Sequence, residues 1–160
     1  MSENQKKVWI TGASSGIGKS VAEKFASEGW KVAVSARRKE ILDEMSNNKN
    51  IFSYPLDVTK QEQIKNIFKK IINDFGNLDM CIFCSGTYDP KDEQSINVEK
   101  IKNVINVNFF GVVECVKAVE SFFKDKKSGQ ISIVSSIAGY RGLPNSSGYG
   151  PSKAALTNFT

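Results

Sequence analysis

Short apolar runs alternate with amphipathic helical stripes along the whole of this 160-residue chain. That alternation limits the folds open to it more than any other feature. Residues 8–10, 31–35, 51–54, 78–84 and 130–135 read as five strands. Between the first three, Ile17, Val21 and Phe25 mark one helical face, and Ile41, Leu42 and Met45 mark another. Ile64, Ile67, Phe68, Ile71, Ile72 and Phe75 recur at i, i+3, i+4, i+7, i+8 and i+11, the cleanest helical stripe in the chain. Ile101, Val104, Ile105, Val112, Val116, Val119 and Phe123 read as one long helix, and a last helix follows the fifth strand. Parallel strands need a helical return between them, so the alternation predicts an α/β fold: a parallel sheet with helices on both faces. Right-handed crossovers make that sheet doubly wound, a three-layer α-β-α arrangement in a single domain over 1–160.

Composition narrows the function classes. Hydrophobic residues make up 40% and charged residues 24%, as in ordinary globular domains. The net charge of +5 comes from scattered lysines with no basic run or basic–aromatic interleaving, which excludes a nucleic-acid groove. There is no long apolar span, and the start at Met1 to Lys7 is polar, so neither membrane insertion nor export is expected and the cytoplasm is the expected compartment. The polar stretch 87–95 reads as a mobile surface excursion. The sequence stops at Thr160 within helical pattern, without a Gly, Asn or Pro stop signal.

Cys81, Cys84 and Cys115 make no even disulfide framework. Cys81 and Cys84 spell C-x-x-C, but within a strand, where residues three apart point to opposite faces. A dithiol redox site is therefore not expected. The sequence contains no histidine, which excludes a Ser-His-Asp triad.

Directly after the first strand come Thr11-Gly12-Ala13-Ser14-Ser15-Gly16-Ile17-Gly18, opening the first helix. Gly12, Gly16 and Gly18 suit a tight turn and close backbone approach to phosphates, and the free N–H groups of the helix start favour a pyrophosphate. This placement predicts a Rossmann-type dinucleotide site. The second strand ends Ser35-Ala36-Arg37-Arg38, with no carboxylate before Glu40. A guanidinium there pairs with the 2′-phosphate of NADP, whereas NAD sites place a carboxylate on the ribose hydroxyls. NADP is expected over NAD, with Arg37 as the selecting residue.

Tyr149 and Lys153 lie four apart, one turn along a helix face. A lysine ammonium held there favours the phenolate and prepares the tyrosine for acid/base work. The fifth strand runs into Ser135 and Ser136 at the carboxyl edge of the sheet, where ligands bind in such folds. Asn108, in Val107-Asn108-Phe109-Phe110-Gly111, is a polar residue in an otherwise apolar helical stretch. A buried amide must be hydrogen-bonded, which predicts a helix irregularity, a trapped water or a ligand at that point.

Together the glycine loop, Leu56-Asp57-Val58, Asn108, Ser136, and Tyr149 with Lys153 resemble the short-chain dehydrogenase/reductase family over nearly the whole chain. The resemblance implies an oxidoreductase interconverting a small-molecule carbonyl and a secondary alcohol. Tyr149 would be the general acid/base, Ser136 a hydrogen-bond partner of the substrate oxygen, and Asn108 the anchor of a water feeding protons to Lys153. Lys153 would also hold the nicotinamide ribose. Gly12, Ser14, Ser15, Gly16, Ile17, Gly18 and Gly86 would cradle the cofactor, with Asp57 and Val58 at the adenine. It further implies pairing of subunits through the long fourth helix and the tyrosine-bearing helix. Two departures stand out. Phe83-Cys84-Ser85-Gly86 occupies the place of the family's Asn-Asn-Ala-Gly, and the family's two further strands and substrate-covering loop are not in the sequence. The chain therefore reads as the amino-terminal portion of such an enzyme. A dinucleotide-binding sensor without turnover is the alternative.

Overall fold

A computed structural model describes residues 5–91 and 95–160. Met1 to Asn4, and positions 92–94 of the expected surface excursion, lie outside the described residues. Five strands, β1 (Lys7–Thr11), β2 (Lys31–Ser35), β3 (Ile51–Ser53), β4 (Met80–Phe83) and β5 (Gln130–Ile133), form one sheet in the order β3-β2-β1-β4-β5. Every neighbouring pair is parallel, as the alternation predicts. The chain winds outward from β1 to β3 in one direction, then restarts at β4 beside β1 and continues the other way. Loops leaving β1 and β4 therefore part from each other at the carboxyl edge, which opens a crevice there.

Alternate side chains of each strand feed two separate cores. Val8 and Ile10 of β1, Val32 and Val34 of β2 and Ile82 of β4 pack under α1 (Gly16–Ser27) and α2 (Lys39–Met45). Trp9, Ala33, Cys81 and Phe83 face the opposite way, toward α3 (Gln61–Phe75) and two later helices, α5 (Gly111–Lys126) and α6 (Tyr149–Phe159). Trp9 is fully buried, stacked on Phe68 and edge-on to Phe83, with its indole N–H donated to Ser35 Oγ at 2.9 Å. Cys81 belongs to one core and Cys84 packs against the other. Burial pushes both thiols above their ordinary value. The C-x-x-C spacing thus carries no dithiol site.

The expected long helix is not continuous. α4 (Val98–Ile105) passes into a π-helical turn, Asn106–Phe110, before α5 begins. The break falls on Asn108, where a helix irregularity, a trapped water or a ligand was expected, and the first of these is what the fold shows.

Asp79, just before β4, ties three elements together. Its carboxylate accepts the Lys7 backbone N–H at 2.9 Å and the Lys126 ammonium at 3.0 Å, and Lys126 also donates to Leu78 O. Burial pushes the Asp79 carboxyl up, but these donors outweigh it and hold the group below the ordinary aspartate value. A carboxyl depressed in this way contributes stability that is present above the ordinary aspartate range and lost as pH falls through its folded value. Asp79→Ala is expected to lower the unfolding free energy by about 1–2 kcal/mol at pH 7. Urea titrations repeated at successively lower pH below the ordinary aspartate range should show that gap shrink.

Candidate functional site

A cleft of about 410 Å³ opens at the carboxyl edge where β1 and β4 part. Its wall begins with the loop from β1 into α1. Gly12 holds φ +69°, and a Cβ there would lie 2.7 Å from the Cys84 carbonyl carbon, while one on Gly18 would strike Gly12 O at 2.4 Å. Only glycine lets the loop lie this flat against the end of β4 while α1 starts directly above it. Gly12 and Gly18 add no side chain of their own at the start of α1, whose free backbone N–H groups suit a pyrophosphate. The positions expected to bind a dinucleotide here, Ser14, Ser15, Ile17 and Gly18 with Gly12, line the cleft; Gly16 opens α1 behind them.

Arg37 and Arg38 line the end of the cleft beyond β2, with Leu56, Asp57 and Val58 from the loop after β3. Arg38, which the sequence reading passed over in favour of Arg37, donates to Ser14 Oγ at 2.9 Å and to Ser15 Oγ at 2.8 Å. It braces the glycine loop across the mouth of the site. Burial raises the Asp57 carboxyl, but the Thr59 N–H and hydroxyl and the charge of Arg37 bring it below the ordinary aspartate value. The lining therefore carries three cations, Arg37, Arg38 and Lys153, against one carboxylate, Asp57. That balance fits an anionic ligand.

At the other end stand Gly86, Tyr149 and Lys153. The Gly150 N–H donates to Ser146 Oγ at 2.8 Å, closing the first turn of α6, and Pro151 follows where a missing N–H costs nothing. Lys153 is 4% exposed; its ammonium donates to Val134 O at 2.8 Å and sits 5.8 Å from the Tyr149 ring centroid. Burial lowers its pKa, with the Cys84 thiol acting in the opposite sense.

Asn108 stands behind this end of the cleft, fully buried. Its Oδ1 accepts the Thr87 N–H at 2.7 Å, and its Nδ2 donates to Thr87 O at 3.0 Å and to Ser152 Oγ at 3.1 Å. Ser152 in turn donates to Tyr149 O at 2.7 Å. The amide thus joins the segment after β4 to the first turn of α6.

The two serines after β5 divide. Ser135 lines the cleft, yet its hydroxyl is engaged by Thr157 Oγ1 at 2.7 Å and Lys153 O at 3.3 Å. Ser136, next in sequence to that lining residue, caps a 3-10 turn (Ile137–Gly139) and accepts the Ala138 N–H at 3.2 Å. Accepting that bond leaves its own O–H proton available to donate. One buried hydroxyl at the end of β1 is left unsatisfied. The Thr11 hydroxyl, buried beside Phe83, has no hydrogen-bond partner among the described residues. Sequence reasoning missed Tyr88, which lines the cleft and stacks on Tyr149. No periodicity marks a lone aromatic in a polar loop.

The chain is similar to known proteins over almost its whole length. The sequence profile of the short chain dehydrogenases matches residues 6–160. The mouse dehydrogenase/reductase SDR family member 7 is 34% identical over 95% of this chain and 48% of its own length. An uncharacterised oxidoreductase of Listeria monocytogenes is 32% identical over 99% of this chain and 66% of its own length. The solved structure of ElxO with NADP bound has a TM-score of 0.89 and 31% identity, covering 98% of this chain and 65% of the ElxO chain. This chain spans about half to two thirds of the length of these relatives.

A lysine whose folded pKa lies below its unfolded value binds fewer protons when folded, so stability rises with pH through that window. The stability of the wild-type chain relative to Lys153→Met is accordingly expected to increase from pH 7 to pH 10. Thermal unfolding of both proteins across that range measures it; a flat difference would contradict a buried, depressed ammonium.

Proposed function

The chain belongs to the short chain dehydrogenase family, and we propose that it carries the cofactor-binding and proton-transfer part of an NADP-dependent oxidoreductase interconverting a carbonyl and a secondary alcohol. The observation that carries this reading is the buried Lys153 ammonium beside the Tyr149 ring, at the end of a cation-lined cleft that begins with a glycine loop. A protein that only bound a dinucleotide would have no use for a buried lysine next to a cleft tyrosine, and isolated buried charges are costly.

The cleft fits the cofactor at each end. Gly12 and Gly18 leave a cradle that any Cβ would fill, and the helix start supplies N–H donors to the pyrophosphate. Asp57 and Val58 would contact the adenine, and Arg37 would meet the 2′-phosphate, with Arg38 holding Ser14 and Ser15 in register. The NADP of ElxO supports that preference by likeness. When bound, the nicotinamide supplies or accepts the hydride.

The remaining steps belong to the protein. In the reducing direction Tyr149 gives its phenolic proton to the substrate oxygen as negative charge develops there. The Lys153 ammonium stabilises the phenolate left behind. Ser136 donates its hydroxyl proton to the same substrate oxygen, its acceptor side being occupied by Ala138 N–H. Asn108 holds the Thr87 segment and α6 at their separation. The same reading gives the π turn at Asn108 a water that resupplies protons to Lys153; widened turns of this kind recur at functional sites.

Tyr149→Phe is expected to abolish turnover of a carbonyl panel with NADPH while NADPH still binds. Undiminished NADPH oxidation by that variant would reject the assignment. NADPH binding with no turnover by the wild-type chain or by a chain extended to the length of its relatives would indicate a sensor instead. Arg37→Ala should weaken NADPH by about tenfold or more and leave NADH almost unchanged, as one lost charge-assisted phosphate contact requires. Calorimetric titration of both cofactors distinguishes this from an equal loss.

A further inference from the structure

We propose that Tyr88 is a positioning residue for Tyr149, its ring fixing the plane in which the phenol meets the substrate oxygen; this rests on the assignment of Tyr149 as the proton donor. Tyr88 follows β4 by a few residues, two beyond Gly86, and lines the same cleft. The two ring centroids are 4.4 Å apart with planes tilted by only 27°. That is a closely stacked pair, near the short end of aromatic contacts in proteins.

Two features make the stack more than an incidental touch between a loop and a helix. First, the backbones on either side of it are tied to one group. Asn108 holds both the N–H and the carbonyl of Thr87, the residue before Tyr88, and through Ser152 it reaches the carbonyl of Tyr149. The spacing of the two rings is thus set by a buried amide and not by a free loop. Second, the Tyr149 side chain starts at the first residue of α6 and turns about two torsions, so its backbone alone does not fix where its hydroxyl lies. Tyr88 closes a face of that ring, and the Lys153 ammonium lies 5.8 Å from its centroid.

Proton transfer depends on placement at the ångström scale, so a ring free to turn away spends less time in the productive geometry. Tyr88 is 40% exposed, so the stack stands at the open side of the cleft. Sequence alone assigns nothing to this position.

The test uses Tyr88→Ala and Tyr88→Phe in the full chain. With NADPH and a carbonyl that the wild type reduces, Tyr88→Ala is expected to lose about tenfold in kcat with NADPH affinity unchanged, and Tyr88→Phe to recover to within about twofold, since the ring and not the hydroxyl makes the stack. A second readout needs no turnover. With all four tyrosines replaced by 3-fluorotyrosine, the Tyr149 fluorine resonance, assigned through Tyr149→Phe, should move in Tyr88→Ala and stay in Tyr88→Phe, with Tyr54 and Tyr140 unmoved in both. An unmoved Tyr149 resonance in Tyr88→Ala overturns the proposal. So does a kcat equal to or above wild type, which would make Tyr88 an obstruction and not a support. A moved resonance together with full turnover by Tyr149→Phe would reject the proton-donor assignment and leave the stack standing.

Discussion

The geometry of the candidate site depends on one buried amide. Asn108 lies inside a helix that would otherwise be apolar along its inner face, and its side chain makes three hydrogen bonds to partners far away in sequence. At this group the helix widens one turn to π geometry. The widening separates α4 from α5, and it places the amide between the segment after β4 and the first turn of α6. Tyr88, Gly86, Tyr149 and Lys153 all stand on those two pieces. Removing the amide would take away the side-chain partner of the half-buried Thr87 N–H and carbonyl and the tie from that segment to α6.

The opposite end of the cleft depends on closeness rather than on hydrogen bonding. Gly12 passes so near the end of β4 that a methyl group would meet the Cys84 backbone. The cofactor cradle is therefore a consequence of strand adjacency at the point where the winding of the sheet reverses. Phe83-Cys84-Ser85 brings an aromatic ring and a thiol to the end of β4. Phe83 is buried edge-on to Trp9, while the Thr11 hydroxyl beside it lacks a partner among the described residues. At this point the central sheet is packed by aromatic contact.

Charge links the two ends. Arg37, Arg38 and Lys153 give the cleft a positive lining along its length, with Asp57 drawn below its ordinary pKa inside it. The guanidinium of Arg38 spans Ser14 and Ser15, so the glycine loop is braced from outside the helix it opens. Lys153 carries the opposite burden. Burial lowers its pKa, and the Val134 carbonyl is the partner that keeps the ammonium in place.

Local spacing determined much of this from the sequence alone. The alternation of strand and helix patterns sufficed for the parallel sheet, because a pleated strand and an amphipathic helix each write their own period into the chain. The glycine loop and the Tyr149–Lys153 pair were legible because the residues concerned sit within one turn or one helix start, where distance follows from sequence separation. The break in the long helix was legible only as a misplaced asparagine. Everything that joins distant segments was decided by the tertiary structure. Arg38, not Arg37, braces the glycine loop; Ser135 is spent on α6 while Ser136 caps a 3-10 turn; and Tyr88 meets Tyr149 across a gap of sixty-one positions. No periodicity encodes such meetings. They arise where the β1–β4 crevice and the Asn108 amide bring loops of unrelated sequence to the same edge of the sheet.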